Sequence, residues 1–144
     1  MLTMICGVPG SGKSTYVEKA RKKDTVVICP DRIRKELTGA EEDQSKNKEV
    51  FELAYKRLRK ALLSDTDVIF DATNLTKRAR KSILDIAKGH NCEAVYFVVP
   101  LKTCLERNSK RERHVPEDVI RGMYKKYTYP KKEEGFSSVK RICA

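Results

Sequence analysis

The stretch Met4–Thr15, "MICGVPGSGKST", reads as an apolar strand, then three glycines among small residues, then a lysine and two hydroxyls. Within it Gly7–Ser14, "GVPGSGKS", fits the pattern G-x-x-x-x-G-K-[ST] of a phosphate-binding loop. Glycines let the backbone curl so that several N–H groups point inward at phosphate oxygens. The helix that follows adds its positive N-terminal end. Lys13 is placed to reach the β- and γ-phosphates, and the Ser14 hydroxyl to coordinate Mg²⁺. The expected nucleotide-binding residues are therefore Gly7, Pro9, Gly10, Ser11, Gly12, Lys13, Ser14 and Thr15, with ATP and Mg²⁺ as cofactors. A glycine-rich turn that binds nothing is the bland alternative, and the strand before and helix after argue against it.

Outward from this loop the chain alternates strands and helices. "TMICG" is a strand and "KSTYVEKARKK" the helix after it; "TVVIC" is a second strand, followed by a helix over "PDRIRKELTG" that Gly39 stops. "VFELAYKRLRKALL" puts Val50, Leu53, Ala54, Leu58, Ala61 and Leu62 on one helical face. "DVIFDAT" and "CEAVYFVV" are strands around the helix "KRARKSILDIAKGH", which ends near Gly89. Helices over "KTCLERNSK" and "PEDVIRGMYKKY" flank a basic segment, and "SSVKRIC" alternates like a weak edge strand. Strands joined by helices imply parallel pairing with right-handed crossovers. The expected fold is α/β: one domain over residues 1–144, three layers around a mainly parallel sheet of four to five strands, with a basic helical lid at about 107–116. Ligands in such sheets bind beyond the carboxyl ends of the strands, so the loops after Cys6, Cys29, Asp71 and Val99 should meet at one site.

Each of those loops carries a candidate. Asp31 stands at the start of a helix, where a carboxylate either caps it or, facing the phosphates, accepts the proton of an attacking hydroxyl. Arg34, three residues on, shares its helical face and suits an acidic group on the acceptor. Asp71 ends an apolar strand and is expected to support Mg²⁺ or its waters beside Ser14. Thr73 and Asn74 follow it and either bind substrate or cap the next helix. "RNSKRERHVP" is either a solvated charged face or a lid; as a lid, its Arg111 or Arg113 offsets charge on the phosphate oxygens, with Arg107 third. His90 and His114 receive no role.

The composition narrows the partners. Thirty-one basic residues face 20 acidic ones, for a net charge of +11, and from Leu101 onward the ratio is 12 to 6. Such a surplus suits an anionic partner, nucleic acid being the commonest, although solubility alone also accounts for it. "GMYKKYTYPKK" interleaves Tyr124, Tyr127 and Tyr129 with lysines, either for stacking on bases or for packing the last helix. Five cysteines show no metal-ligand spacing, and three of them sit in or beside apolar runs, which reads as buried thiols in a reducing compartment. There is no signal-peptide pattern and no run of about 20 apolar residues, so the expected location is cytoplasmic.

"GVPGSGKST", "PDRIR", "DATNL" and "ERNSKRERHVPEDVIRGMYKKY", in this order, resemble the kinase domain of the phage-type 5′-polynucleotide kinase family, and the tail "YPKKEEGF" is similar to the end of such domains. The resemblance runs from Met4 to about Phe136. It implies transfer of the γ-phosphate of ATP to the 5′-hydroxyl of DNA or RNA. Lys13 and Ser14 would then serve phosphate and metal, Asp31 the base, Arg34 the 3′-phosphate beside the acceptor hydroxyl, and Arg111 the lid. Two departures stand out. The phage enzyme has its aspartate directly before Thr-Asn, where this chain has Ala72, and its aspartate-rich phosphatase motif has no counterpart here, so 3′-end healing would fall to another protein. Other readings of the same residues are a P-loop kinase for a small metabolite or nucleotide, and an ATP-dependent binding module without transfer.

Overall fold

A computed structural model describes residues 1–112 and 115–143. Five strands, β1 (Leu2–Cys6), β2 (Val26–Ile28), β3 (Val68–Asp71), β4 (Cys92–Phe97) and β5 (Ser138–Ile142), form one sheet in the order β2-β3-β1-β4-β5. Every pairing is parallel, with Leu2 opposite both Val68 and Cys92. The weak alternation of the last segment does build an edge strand, joined to β4 alone.

Six helices link the strands: α1 (Lys13–Ala20), α2 (Pro30–Thr38), α3 (Asn47–Leu63), α4 (Lys77–Ile86), α5 (Leu101–Ser109) and α6 (Glu117–Lys126). The step from β1 to β2 runs one way along the sheet and the later steps run back. Right-handed crossovers therefore put α1 on one face and α2, α3 and α4 on the other. The period of two in β1 serves both layers. Leu2, Met4 and Cys6 pack with Ile33, Val50, Ala54, Leu58 and Ile83, whereas Ile5 joins Val17, Val95 and Phe97. A third cluster of Val8, Leu75, Val99 and Cys104 closes the carboxyl end of the sheet, under α5 and α6.

Local chemistry sets the ends of the elements. Gly39 ends α2 in the left-handed region at φ 88°, its N–H donating to Lys35 O, as the sequence implies. Thr76 caps α4, its hydroxyl accepting from the Ala79 N–H. Asp31 does not cap α2: Cys29 holds the cap position and Pro30 the first turn, so Asp31 sits inside the helix with its carboxylate free for another partner.

Candidate active site

The P-loop spans Gly7–Gly12 between β1 and α1 and is wound tightly. Gly10 and Gly12 adopt φ 83° and 101°. A Cβ on Gly10 would stand 2.4 Å from the Cys104 carbonyl oxygen, so the loop lies directly against the first turns of α5. A Cβ on Gly7 would meet Ser11 Oγ at 2.8 Å. Ser11 is 1 % exposed, and its hydroxyl has no partner among the described residues. An orphaned buried hydroxyl is costly unless something fills the cradle it faces. The first-turn amides of α1 also lack a side-chain cap. A cradle of glycine backbone, a waiting hydroxyl and an open helix N-terminus fits a polyphosphate.

Lys13 folds back over this cradle, its Nζ donating to Gly7 O at 2.7 Å. Burial lowers the pKa of its ammonium, while the carboxylates of Asp71 and Asp31 act in the opposite direction. Asp71, half-buried at the end of β3, is pushed up by burial, and Lys13 and Arg32 oppose that shift. Lys13, Asp31 and Asp71 thus share one electrostatic neighbourhood, formed as expected by the loops after β1, β2 and β3. Ser14 and Thr15 are exposed on the first turn of α1, and Pro9 is half-buried in the loop. Among the described residues no group of three or more His, Cys, Asp or Glu gathers to hold a metal. The hard oxygens of Ser14 and Asp71 instead fit Mg²⁺, which takes one or two protein ligands and completes its shell with phosphates and water.

Asp31 finds its partner one turn along α2: Arg34 Nη1 donates to its Oδ1 at 2.6 Å. Arg34 is 6 % exposed and also donates from Nε to Asn47 Oδ1 at 3.0 Å and from Nη1 to the Glu41 carbonyl at 3.3 Å. The guanidinium therefore fixes Asp31 and ties α2 to the start of α3. Thr73 contributes its carbonyl, which accepts from Gly7 N at 2.9 Å and joins the two phosphate-side loops. Asn74 departs from the expectation. It is buried at φ 44°, and its Nδ2 donates to Ile5 O at 2.7 Å. Its amide is spent inside the fold, neither lining the site nor capping α4.

The segment expected to form the lid leaves α5 through Lys110 and enters α6 at Pro116. Buried Asn108 pinches its base, donating from Nδ2 to Val115 O at 2.7 Å and accepting from Val115 N at 3.0 Å. Arg107 ends α5, and Arg111 is exposed just beyond it. Arg113 and His114 lie outside the described residues. Sequence reasoning passed over Asn108, because one asparagine in a charged run carries no periodic signal. It also passed over Arg32, which reaches Glu18 at 3.8 Å as well as the field of Asp71.

Two further expectations resolve differently. The five thiols are free, but only Cys6, Cys92 and Cys104 are buried as expected, Cys29 being half-buried and Cys143 exposed; burial pushes Cys6 and Cys92 up to about 12 and also raises Cys29, beside the site. Of the three tyrosines, Tyr127 is structural. Its hydroxyl shares its proton between the carbonyls of Cys6 and Phe97, at 3.1 and 3.0 Å. Tyr129 packs edge-on against it, while Tyr124 and Tyr129 keep exposed faces.

A family model described as AAA domain matches residues 2–130. The chain belongs to this family, as a P-loop kinase domain. Among its relatives, the L-seryl-tRNA(Sec) kinase of Methanococcus maripaludis is 30 % identical over 138 residues, a match spanning 90 % of this chain and 53 % of that protein. A putative bifunctional polynucleotide kinase/RNA ligase of Autographa californica nuclear polyhedrosis virus is 26 % identical over 142 residues, 88 % of this chain and 20 % of that one. The chain thus spans about half of the first relative and a fifth of the second. Among solved structures, a chain of the Pnkp1/Rnl/Hen1 RNA repair complex superposes with a TM-score of 0.78 at 21 % identity, covering 87 % of this chain and 43 % of that chain. That likeness is one of fold. No helix among the described residues is long and apolar enough to cross a membrane.

Proposed function

We propose that this domain moves the γ-phosphate of ATP to the 5′-hydroxyl of a DNA or RNA strand. The observation that carries the reading is the Asp31–Arg34 pair, 2.6 Å apart and within the electrostatic reach of Lys13. A module that only binds nucleotide needs the loop and the lysine. A transferase also needs a carboxylate held where an acceptor hydroxyl arrives, and Asp31 is freed from capping and fixed by Arg34 for that purpose.

In this reading the P-loop amides, Ser11 and Lys13 hold the polyphosphate, and Ser14 and Asp71 hold Mg²⁺, which supplies charge neutralisation on the phosphate oxygens when bound. Asp31 takes the proton of the acceptor hydroxyl as it attacks the γ-phosphorus in line, and ADP leaves. Arg34 orients Asp31 and places positive charge where the acceptor's 3′-phosphate lies. Thr73 borders the same loop. Arg111, or Arg113 as the alternative, offsets charge on the transferred group. The net charge of +11 suits a polyanionic acceptor, as do relatives whose names join kinase to tRNA and to RNA ligase.

The test uses ATP labelled at the γ-phosphate, a 5′-hydroxyl oligonucleotide, and the same oligonucleotide already carrying a 5′-phosphate. The expected result is label on the first strand only, as its 5′-phosphate. Label on neither strand, with transfer to a small hydroxyl metabolite, would overturn the reading in favour of a metabolite kinase.

A further inference from the structure

Arg80 is a fully buried charged side chain, 1 % exposed, on a helix that contributes nothing to the site described above. All five of its N–H donors are engaged. Nε donates to Glu134 Oε1 at 2.9 Å and Nη2 to Glu134 Oε2 at 3.2 Å. Nη2 also donates to Thr128 Oγ1 at 3.2 Å, and Nη1 to two backbone carbonyls, Thr128 O at 2.8 Å and Asn74 O at 3.0 Å.

The partners of those partners lead to the active site. Asn74 follows Asp71 and Thr73 in the loop after β3, and its Nδ2 holds Ile5 O at the end of β1. Gly7, the first residue of the P-loop, donates its N–H to Thr73 O. Thr128 N donates to Leu75 O at 2.8 Å, and Tyr127 bonds the Cys6 carbonyl. The segment from Tyr127 to Glu134 is thus a strap across the base of two catalytic loops, and the Arg80 guanidinium is where strap and loop join.

We propose that Arg80 is a positioning residue for phosphoryl transfer: with Glu134 and Thr128 it fixes the Asn74 carbonyl and so holds the Asp71–Thr73 loop in register with the P-loop. The two backbone carbonyls that complete the hydrogen bonding of the guanidinium lie on separate segments, so one side chain couples the loop at Asn74 to the strap at Thr128. Asn74 supplies a second argument. Its left-handed backbone, unusual for a residue other than glycine, is pinned on both sides, by Arg80 at its carbonyl and by Ile5 at its amide. Displacing such a loop by about 1 Å is enough to lower a rate about 100-fold. The inference rests on the phosphotransfer reading for its kinetic readout only.

Two variants separate positioning from stability. In Arg80→Met/Glu134→Leu no buried charge is left unpaired, so the loss is confined to the hydrogen bonds of the Asn74 and Thr128 carbonyls and of Lys131 N, which donates to Glu134 Oε2 at 2.8 Å. In Arg80→Lys a charge remains for Glu134, but an ammonium lacks the fork that spans both carbonyls. Turnover on the 5′-hydroxyl oligonucleotide, ADP affinity, thermal stability and amide hydrogen exchange are measured for each. The double variant should stay folded with a Tm lowered by several degrees, bind ADP within about threefold, and turn over about 10- to 100-fold more slowly. Its Gly7 and Thr128 amides should exchange faster while the β1 and β4 amides stay protected. Arg80→Lys should change in the same direction by a smaller factor, and it carries the test should the double variant not fold. Wild-type turnover and unchanged protection at Gly7 and Thr128 in either folded variant would overturn the proposal. A wild-type protein that leaves 5′-hydroxyl ends untouched would sink the acceptor assignment alone, and the exchange pattern would still decide this one.

Discussion

At the scale of single residues, Lys13 and Asp31 sit in one field, and the proposed mechanism has them act on different atoms. In the proposed reading Lys13 faces the phosphates in both ground and transition states, so Lys13→Ala should weaken nucleotide binding and remove transfer together, at a cost on the order of several kcal/mol in the barrier. Asp31, as the proposed base, acts on the acceptor proton. Asn in its place keeps the shape and an oxygen for Arg34 while losing the base, so Asp31→Asn should leave ATP affinity about unchanged and slow the chemical step by about 10²- to 10⁴-fold. Equilibrium nucleotide binding combined with single-turnover transfer resolves the two cases. If Asp31→Asn lost ATP affinity and kept its turnover, Asp31 would belong to the nucleotide site and the base assignment would be wrong.

Asp31 also marks the limit of reading residues in isolation. Spacing put Arg34 on its face, and the 2.6 Å contact agrees. Spacing did not show that Cys29 and Pro30 would take over the helix start, which is what releases the carboxylate. Asn74 misled for a related reason. Beside two polar neighbours it looked like a ligand, but its left-handed backbone turns the amide onto β1.

At the scale of elements, two glycines with similar backbone angles have different duties. Gly10 at φ 83° lies against α5, where a Cβ would collide with the Cys104 carbonyl; Gly39 at φ 88° ends α2 in open space. Gly39→Ala should therefore cost only about 1 kcal/mol, the left-handed penalty, with normal activity. Gly10→Ala adds a backbone clash that forces the P-loop and α5 apart. It should lose several degrees more in Tm and at least about tenfold in nucleotide affinity. Thermal melts and ADP titration check both, and equal behaviour of the two variants would mean that the contact between the loop and α5 is not rigid.

The elements themselves were largely legible, because buried strands and a one-faced helix such as α3 write their periods into the sequence. The strap from Tyr127 to Glu134 was not. Its tyrosines and lysines carry the composition of a nucleic-acid patch, and only the fold shows Tyr127 turned inward to Cys6 and Phe97 and Glu134 buried against Arg80. Partners separated by 54 and 121 positions leave no local trace.

At the scale of the whole molecule, the charge remains after the site is accounted for. Lys125, Lys126, Lys131 and Lys132 stay exposed around the half-open rings of Tyr124 and Tyr129, although the strap itself is internal. A kinase for a small acceptor has no use for such a surround, whereas a strand offers phosphates to the lysines and bases to the rings. The most direct test measures transfer to a nucleoside 3′-monophosphate, a trinucleotide and a longer 5′-hydroxyl strand at two salt concentrations. The account predicts that kcat/KM rises from the mononucleotide to the strand and that this gain collapses at the higher salt through counterion release. An acceptor preference flat in both length and salt would contradict it.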